Sequence, residues 1–416
     1  MAETRDYGRA VLVIGAGAPH SSLMAGALCA IWDAGKTFHT IYTAGAGGLM
    51  GMLFAAPANG NPSRALRSVV DAGVSDEIYQ WFPVNYKAFF KPGPYTQLFR
   101  HWAHRFHIPE SQWVPYPGHP PYPGPGYPGP EPGHSGHPGY PGGHGYPGWP
   151  FGWSPGWWQL PFWPHGLHAW RRLYNDWIDF VFSALTPTDL HYFSEGLCAP
   201  LPFLEEMVSF EALQHFPGDF YLNAYNITRD CVQQFPKHEL TALHFRAGLA
   251  SPFIYPPVTI GDQTYYEGAD RSPLPYHHFP EIRDFPKVGI VAIMDILGTL
   301  GTSLVRKPRN LWDAYLISIV TPIVSLAKRD LGEFKARIEI EAQNRNDPPK
   351  PHHVLFHFNL PPDEASNLLD WRYSNLRRLW RIGYEAGERF IASHHNELPD
   401  RPHIPPYPSD PARRDP

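Results

Sequence analysis

The chain has 416 residues, of which 43% are hydrophobic, and a formal net charge of −5 at pH 7. This length exceeds a typical single domain but fits one large α/β domain with insertions. The sequence has no Lys/Arg block that could contact phosphates, so we expect no nucleic-acid partner. Three widely spaced cysteines form neither a disulfide framework nor a zinc pattern, which is typical of a reducing compartment.

The N terminus also gives an indication of the cellular compartment. It carries acidic residues and leads directly into a strand-like segment, so we expect no signal peptide. Apolar runs stay shorter than the roughly 18 residues that span a bilayer. These features predict a cytoplasmic protein.

The first part of the chain alternates strands and helices. "AVLVIG" (10–15) predicts a buried strand, and the segment 21–35 predicts a helix whose small residues permit close packing on a sheet. A second strand is predicted at 38–43. The glycine-rich turn "TAGAGG" follows it, and then a helix over 47–56 that Pro57 stops.

Residues 115–156 differ sharply from the rest of the chain. This stretch of 42 residues contains 14 Pro, 13 Gly and eight aromatic residues, and Glu131 is its only charge. It lacks branched aliphatic side chains and therefore cannot bury enough surface to offset its ordering entropy. Pro-Gly-Tyr units favour polyproline II and turns. We predict an insert that is mobile in the isolated protein and becomes ordered on a partner.

The insert continues to residue 165 and is rich in aromatic anchors, which favour protein interfaces and membrane or granule surfaces. A fold-back of these tryptophans over the protein's own groove is an equally open alternative. The candidate interaction residues are Tyr116, Tyr122, Tyr127, Tyr140, Tyr146, Trp149, Trp153, Trp157 and Trp158.

Beyond the insert the α/β pattern resumes. Periodicity predicts, in chain order, a helix over 171–185, strands at 220–228 and 288–296, a helix over 310–331 interrupted at Pro322, a strand at 352–360 and a helix after Pro362 to about Ser393. From Pro399 the tail is Pro-rich.

A strand, a tight small-residue turn and a helix make a nucleophile elbow, in which a serine normally stands at the apex. The register here places Gly45 at that apex. The late stretch "AGLASPFIYPPVTIGDQTYYEGADRSPLP" (247–275) follows a strand, "FYLNAYNIT". Together these segments resemble the patatin-like phospholipase family. The resemblance implies a three-layer α/β fold with a mostly parallel central sheet flanked by helices, and lipid acyl hydrolysis by a serine–aspartate pair.

The chain departs from the family pattern at both catalytic positions. Gly45 takes the place of the serine, and Glu267 in "EGAD" takes the place of the aspartate. Glycine has no side chain that can attack a carbonyl. Glutamate keeps the charge but moves the carboxylate by a methylene, and small displacements in a catalytic pair cost heavily.

The oxyanion-type loop also departs from the pattern. "GAGAPHSSLMAG" keeps Gly15 and Gly17, but the family's Arg/Lys-Gly step falls on His20 and Ser21, and Pro19 removes a backbone donor. Oxyanion stabilisation depends on aimed N–H groups. The sequence therefore predicts weakened chemistry in this loop as well.

Other polar residues are candidates to replace the missing serine and aspartate. Thr43 is expected to lie in its strand, Ser21 and Ser22 to cap a helix, and Ser251 to serve close packing. Asp270 is the alternative to Glu267, but the Gly268 spacing favours Glu267. The four insert histidines are irregularly spaced, so we expect no metal site. We also expect no cofactor, since "GAGAPH" lacks the third glycine of a dinucleotide fingerprint.

We therefore predict a catalytically impaired patatin-like protein that acts as an interaction or scaffold subunit. The alternative is an active lipid acyl hydrolase with a non-standard nucleophile. Predicted partners are another protein or a second copy, bound through the insert, with a lipid, membrane or granule surface as a further candidate. The predicted segments are an N-terminal half (9–114), the insert (115–165), a C-terminal half with a helical extension (166–395) and a Pro-rich tail (396–416).

Overall fold

The fold is seen in a computed structural model. It describes residues 8–17, 20–83, 85, 172–173, 176–177, 180, 192–196, 207–276, 287–301, 305, 307–308, 311–346, 350–360 and 370–402. The insert lies outside these residues, as does most of the helix predicted over 171–185.

Eight strands of the described residues form one sheet. The strands are β1 (Arg9–Ile14), β2 (Thr40–Thr43), β3 (Asp219–Asn226), β4 (Cys231–Pro236), β5 (Val258–Ile260), β6 (Gln263–Glu267), β7 (Val288–Met294) and β8 (His352–Leu355). Every residue of β7 and all but the first of β1 are buried. This explains why both read as continuous apolar runs, as central parallel strands do.

The strands follow the order β5-β6-β3-β2-β1-β7-β8, and β4 pairs with β3. The β3–β2–β1–β7–β8 part is parallel. Strands β4, β5 and β6 pair in antiparallel fashion. The predicted fold class, an α/β protein with a mostly parallel central sheet flanked by helices, is confirmed.

Helices lie between and after these strands. They are α1 (Ser21–Asp33), α2 (Ala46–Ala55), α3 (Pro62–Ser68), α4 (Asp76–Trp81), α5 (Phe210–Gln214), α6 (Ala242–Leu249), α7 (Ile296–Leu300), α8 (Leu311–Asn344) and α9 (Tyr373–His394). Among the described residues, no helix combines the length and the apolar character that crossing a membrane requires.

Two sequence predictions were wrong in detail. The helix predicted to break at Pro322 runs through it and continues to Asn344. The Thr321 hydroxyl beside the proline donates to the Ile317 carbonyl at 2.7 Å. The strand predicted over 352–360 ends at Leu355, where its pairing with β7 stops at Ile293.

Helices α1 and α9 pack against each other through glycines. A Cβ on Gly26 would overlap the backbone of Trp380, and a Cβ on Gly383 would overlap the backbone of Leu23. The backbones can approach this closely only because both positions lack a side chain. This explains the small residues of the predicted first helix, although they pack on another helix as well as on the sheet.

Candidate functional site

The turn after β2 is a strained elbow. Gly45 directly precedes α2 and has φ +52° and ψ −131°, a backbone conformation that residues with a Cβ rarely adopt. A Cβ on Gly47 would overlap the Gly15 carbonyl oxygen and lie 2.8 Å from Cγ2 of Ile14. The glycines therefore allow the start of α2 to lie directly against the loop that follows β1.

Strand pairing brings Glu267 to this elbow. Thr43, the last residue of β2, is level with Leu222 of β3. Two residues further along β3, Ala224 pairs with Glu267, the last residue of β6. Strand β4 also pairs with these residues of β3, so β2 and β6 share the opposite edge and meet end to end. Gly45 and Glu267 lie at that junction.

The Glu267 side chain fills the space that a side chain on Gly45 would occupy. The position of a Cβ on Gly45 overlaps Oε1 of Glu267, and it lies 3.0 Å from Cδ of Glu267 and 3.1 Å from Cβ of Ala269. The Glu267 carboxyl group thus extends into the volume that a side chain at position 45 would fill. The glycine and the glutamate are complementary in shape.

The surroundings of Glu267 favour its neutral form. The side chain keeps some accessible surface, but protein atoms crowd its carboxyl group. Burial and, second, the nearby Asp270 raise the pKa of Glu267 to about 8, while a hydrogen bond from the Ser251 side chain opposes the shift. Burial also raises the pKa of Asp270 to about 6. At pH 7 Glu267 therefore holds a proton, and it is a poor base for activating a hydroxyl.

Two N–H donors of the oxyanion-type loop, those of Gly15 and Ala16, point inward. The Gly15 N–H donates to the Met294 carbonyl at 2.9 Å, and the Ala16 N–H donates to the Pro273 carbonyl at 3.0 Å. Donors that are satisfied by backbone carbonyls cannot also stabilise the charge that develops on a substrate oxygen. This loop is therefore held as a structural turn at Gly15 and Ala16.

A buried acid lies beside the same loop. Asp295 follows β7 and accepts a hydrogen bond from the Gly298 N–H at 3.0 Å. Its Oδ1 would lie 3.2 Å from a Cβ on Gly15. Burial raises the pKa of Asp295 to about 7, above which its charge would repel an oxyanion nearby.

The other candidate residues from the sequence lie in the oxyanion-type loop, at the start of α1 and in β2. Gly17 lies in the loop, and His20 is buried directly before α1 without capping it by its side chain. Ser21 and Ser22 begin α1, but the predicted capping role of Ser22 is wrong, since its buried hydroxyl has no partner among the described residues. Thr43 lies in β2 as expected and donates to the Tyr221 carbonyl at 2.9 Å.

Sequence reasoning missed two residues of this site. The sequence predicts only close packing for Ser251, yet its side chain is near enough to Glu267 to lower the pKa of that carboxyl group. Asp295 was not singled out, although an aspartate directly after a buried strand falls at the same sheet edge as the elbow. The aromatic interaction residues of the insert, Tyr116 to Trp158, lie outside the described residues.

An elbow between a parallel strand and a helix, with an acid at the end of a neighbouring strand, defines a hydrolase type of α/β fold. The sequence model described as patatin-like phospholipase matches residues 12–280, more than half of the 416 residues. The chain therefore belongs to the patatin-like phospholipase family. Membership gives it a lipid-hydrolase type of fold.

Two further comparisons, with solved structures and with curated proteins, give weaker information than the family match. The crystal structure of VipD from Legionella pneumophila is similar with a TM-score of 0.30 and 12% sequence identity, over 93% of this chain and 67% of that one. No curated protein matched the chain.

Proposed function

We propose that this chain is a catalytically impaired patatin-like protein that acts by binding, as an interaction or scaffold subunit. The observation that carries the proposal is the contact between Gly45 and Glu267. The apex of the elbow has no nucleophile, and the side chain that should activate one occupies the nucleophile's place. A nucleophile and its activating base within hydrogen-bond reach are the minimum that covalent hydrolysis requires.

The rest of the site supports the same proposal. Two loop N–H groups, of Gly15 and Ala16, are engaged by backbone carbonyls. Asp295 places a carboxyl group next to that loop. Each of these features opposes the stabilisation of an oxyanion, independently of the elbow.

The binding role is supported by composition. The insert (115–165) presents tyrosines and tryptophans among prolines, and its single charge in residues 115–156 leaves it poorly solvated. Proline lowers the entropy that binding must remove, and aromatic residues supply contact area. The proposed partner is another protein or a second copy of the chain, in the cytoplasm, with a lipid, membrane or polymer surface as the further candidate.

Hydrolysis assays test the catalytic half of this proposal. The full chain is assayed with a chromogenic short-chain ester and with phospholipid vesicles, and we expect turnover at the rate of the buffer blank. The proposal would be overturned if the parent chain showed turnover that Ser251→Ala abolished and Thr43→Ser left unchanged.

The second candidate function, an active lipid acyl hydrolase, is favoured by one specific observation. The Ser251 hydroxyl acts on the Glu267 carboxyl group and lowers its pKa against the effect of burial. It could serve as a nucleophile only when Glu267 is ionised, so this candidate predicts activity that rises with pH through about 8. Activity that is flat with pH at the blank rate rejects it.

A further inference from the structure

We propose that His352, His394 and Glu397 form a binding site for a divalent transition cation of the Zn²⁺ type. The two imidazoles and the carboxylate each offer one ligand atom, and these atoms all lie within 4.8 Å of one another. This site lies apart from the elbow and goes beyond the proposed function.

Two separate parts of the fold converge on the site. His352 is the first residue of β8, which forms an edge of the sheet. His394 is the last residue of α9, and Glu397 ends the 3₁₀ turn that follows. The two carboxylate oxygens of Glu397 face different imidazoles: Oε2 lies 3.0 Å from Nε2 of His352, and Oε1 lies 3.0 Å from Nδ1 of His394.

The donor set fits zinc better than magnesium or calcium. Two imidazole nitrogens and one carboxylate make a set found in zinc sites, whereas magnesium and calcium prefer oxygen ligands. Zinc bonds of roughly 2.0–2.2 Å place tetrahedral ligand atoms about 3.4 Å apart. The observed separations, 3.0 Å to at most 4.8 Å, need only small side-chain rotations to reach that value.

The site is held in place yet open on one side. The His394 ring packs against the buried Phe390, with ring centroids 5.1 Å apart. The side chains of His394 and Glu397 are about one-fifth exposed, and that of His352 is half exposed. A fourth ligand, such as water, can therefore reach the cation from solvent.

The charge balance also favours a cation. Within the described part of the chain, the ion-pair partners of Glu397 are these two imidazoles. A bound metal ion would supply the positive charge and replace the proton on each ligating nitrogen. The bond would join the sheet edge at β8 to the end of α9, so zinc should stabilise the folded chain.

The test uses the full chain after treatment with a chelator. Isothermal titration with ZnCl2 is expected to show one tight site per chain, and MgCl2 none. The melting temperature should rise with zinc and stay constant with magnesium. Co²⁺ should give the visible spectrum of a tetrahedral site.

Two variants locate the site. His352→Gln and Glu397→Gln should each weaken zinc binding at least tenfold and abolish the cobalt spectrum, while their melting temperatures in chelator stay near that of the parent. His238→Gln is the matched control, since His238 is an exposed imidazole 3.6 Å from Glu239 and belongs to no such three-residue group in the described part of the chain. Unchanged zinc and cobalt binding in His352→Gln and Glu397→Gln, or no zinc binding by the parent chain, would overturn the proposal.

Discussion

The Glu267 carboxyl group occupies the position that a side chain on Gly45 would need. A serine at 45 and the shorter aspartate at 267 would fit together, and so do glycine and glutamate. The mixed combination of serine and glutamate does not. This complementarity yields a test in which the two positions are changed separately and together.

The first prediction concerns stability. Gly45→Ser should lower the free energy of unfolding by at least about 2 kcal/mol, because the new side chain meets both a positive φ and the Glu267 carboxyl group. Adding Glu267→Asp to Gly45→Ser should recover about 1–2 kcal/mol of that loss. Urea unfolding of the parent, both single variants and the double variant measures this coupling.

A matched glycine separates backbone strain from the clash. Gly60 also has a positive φ, +66°, but a Cβ there would meet nothing within 4 Å. Gly60→Ser should therefore show the cost of a side chain at a positive φ without a clash, and no coupling to Glu267→Asp. Equal losses in Gly45→Ser and Gly60→Ser, with no coupling at 45, would refute the steric account.

The second prediction concerns pH. The folded pKa of Glu267 is raised to about 8 from an ordinary value of 4.5, so the folded state holds the proton more tightly than the unfolded state. Its contribution to stability is full below pH 4.5 and is lost as the pH rises through 8, with a slope of about 1.4 kcal/mol per pH unit. Glu267→Gln should remove this slope from the unfolding free energy measured between pH 5 and about 9.

Glu211→Gln provides the control, since Glu211 is an exposed carboxyl on α5. This variant should keep the pH dependence of the parent chain. If Glu267→Gln kept it as well, Glu267 would titrate near its ordinary value, and the argument that it is a poor base at pH 7 would fail.

The sequence sufficed to predict the elbow and the glycine at its apex. Small residues between a strand and a helix mark the turn, and the Gly268 spacing identifies Glu267. The contact between Gly45 and Glu267 could not be predicted, because it depends on where β2 and β6 end along β3. Their partner residues are more than a hundred positions away from Gly45 in the sequence.

The same limit applies elsewhere. The engaged donors of Gly15 and Ala16 depend on carbonyls of Met294 and Pro273, which only the packed fold brings near. The continuous helix through Pro322 could not be predicted either, because the local rule favours a break at proline.

The third prediction concerns a serine placed at the apex of the elbow. Gly45→Ser alone should not restore ester hydrolysis, because Glu267 stays protonated at pH 7 and crowds the new hydroxyl. The measurement is turnover of a short-chain ester by purified Gly45→Ser and by the parent chain. Substantial hydrolysis by Gly45→Ser would mean that the remaining machinery is intact.

The fourth prediction concerns the insert. Deleting residues 115–156 should leave the melting temperature nearly unchanged and abolish association with the partner, because the segment lacks the branched aliphatic residues of a core. A pull-down and a sedimentation experiment compare the full chain with the deletion. Unfolding of the deletion variant would place the segment in the core and refute the interaction role.

The most direct test of the proposed impairment is covalent labelling of the full parent chain. A fluorophosphonate modifies a hydroxyl only where a base activates it, and intact-mass spectrometry counts the adducts. We predict no mass increase at pH 7 or at about pH 9, because the elbow has no hydroxyl and the Gly15 and Ala16 donors are engaged. A stoichiometric adduct that Ser251→Ala abolishes would contradict the account.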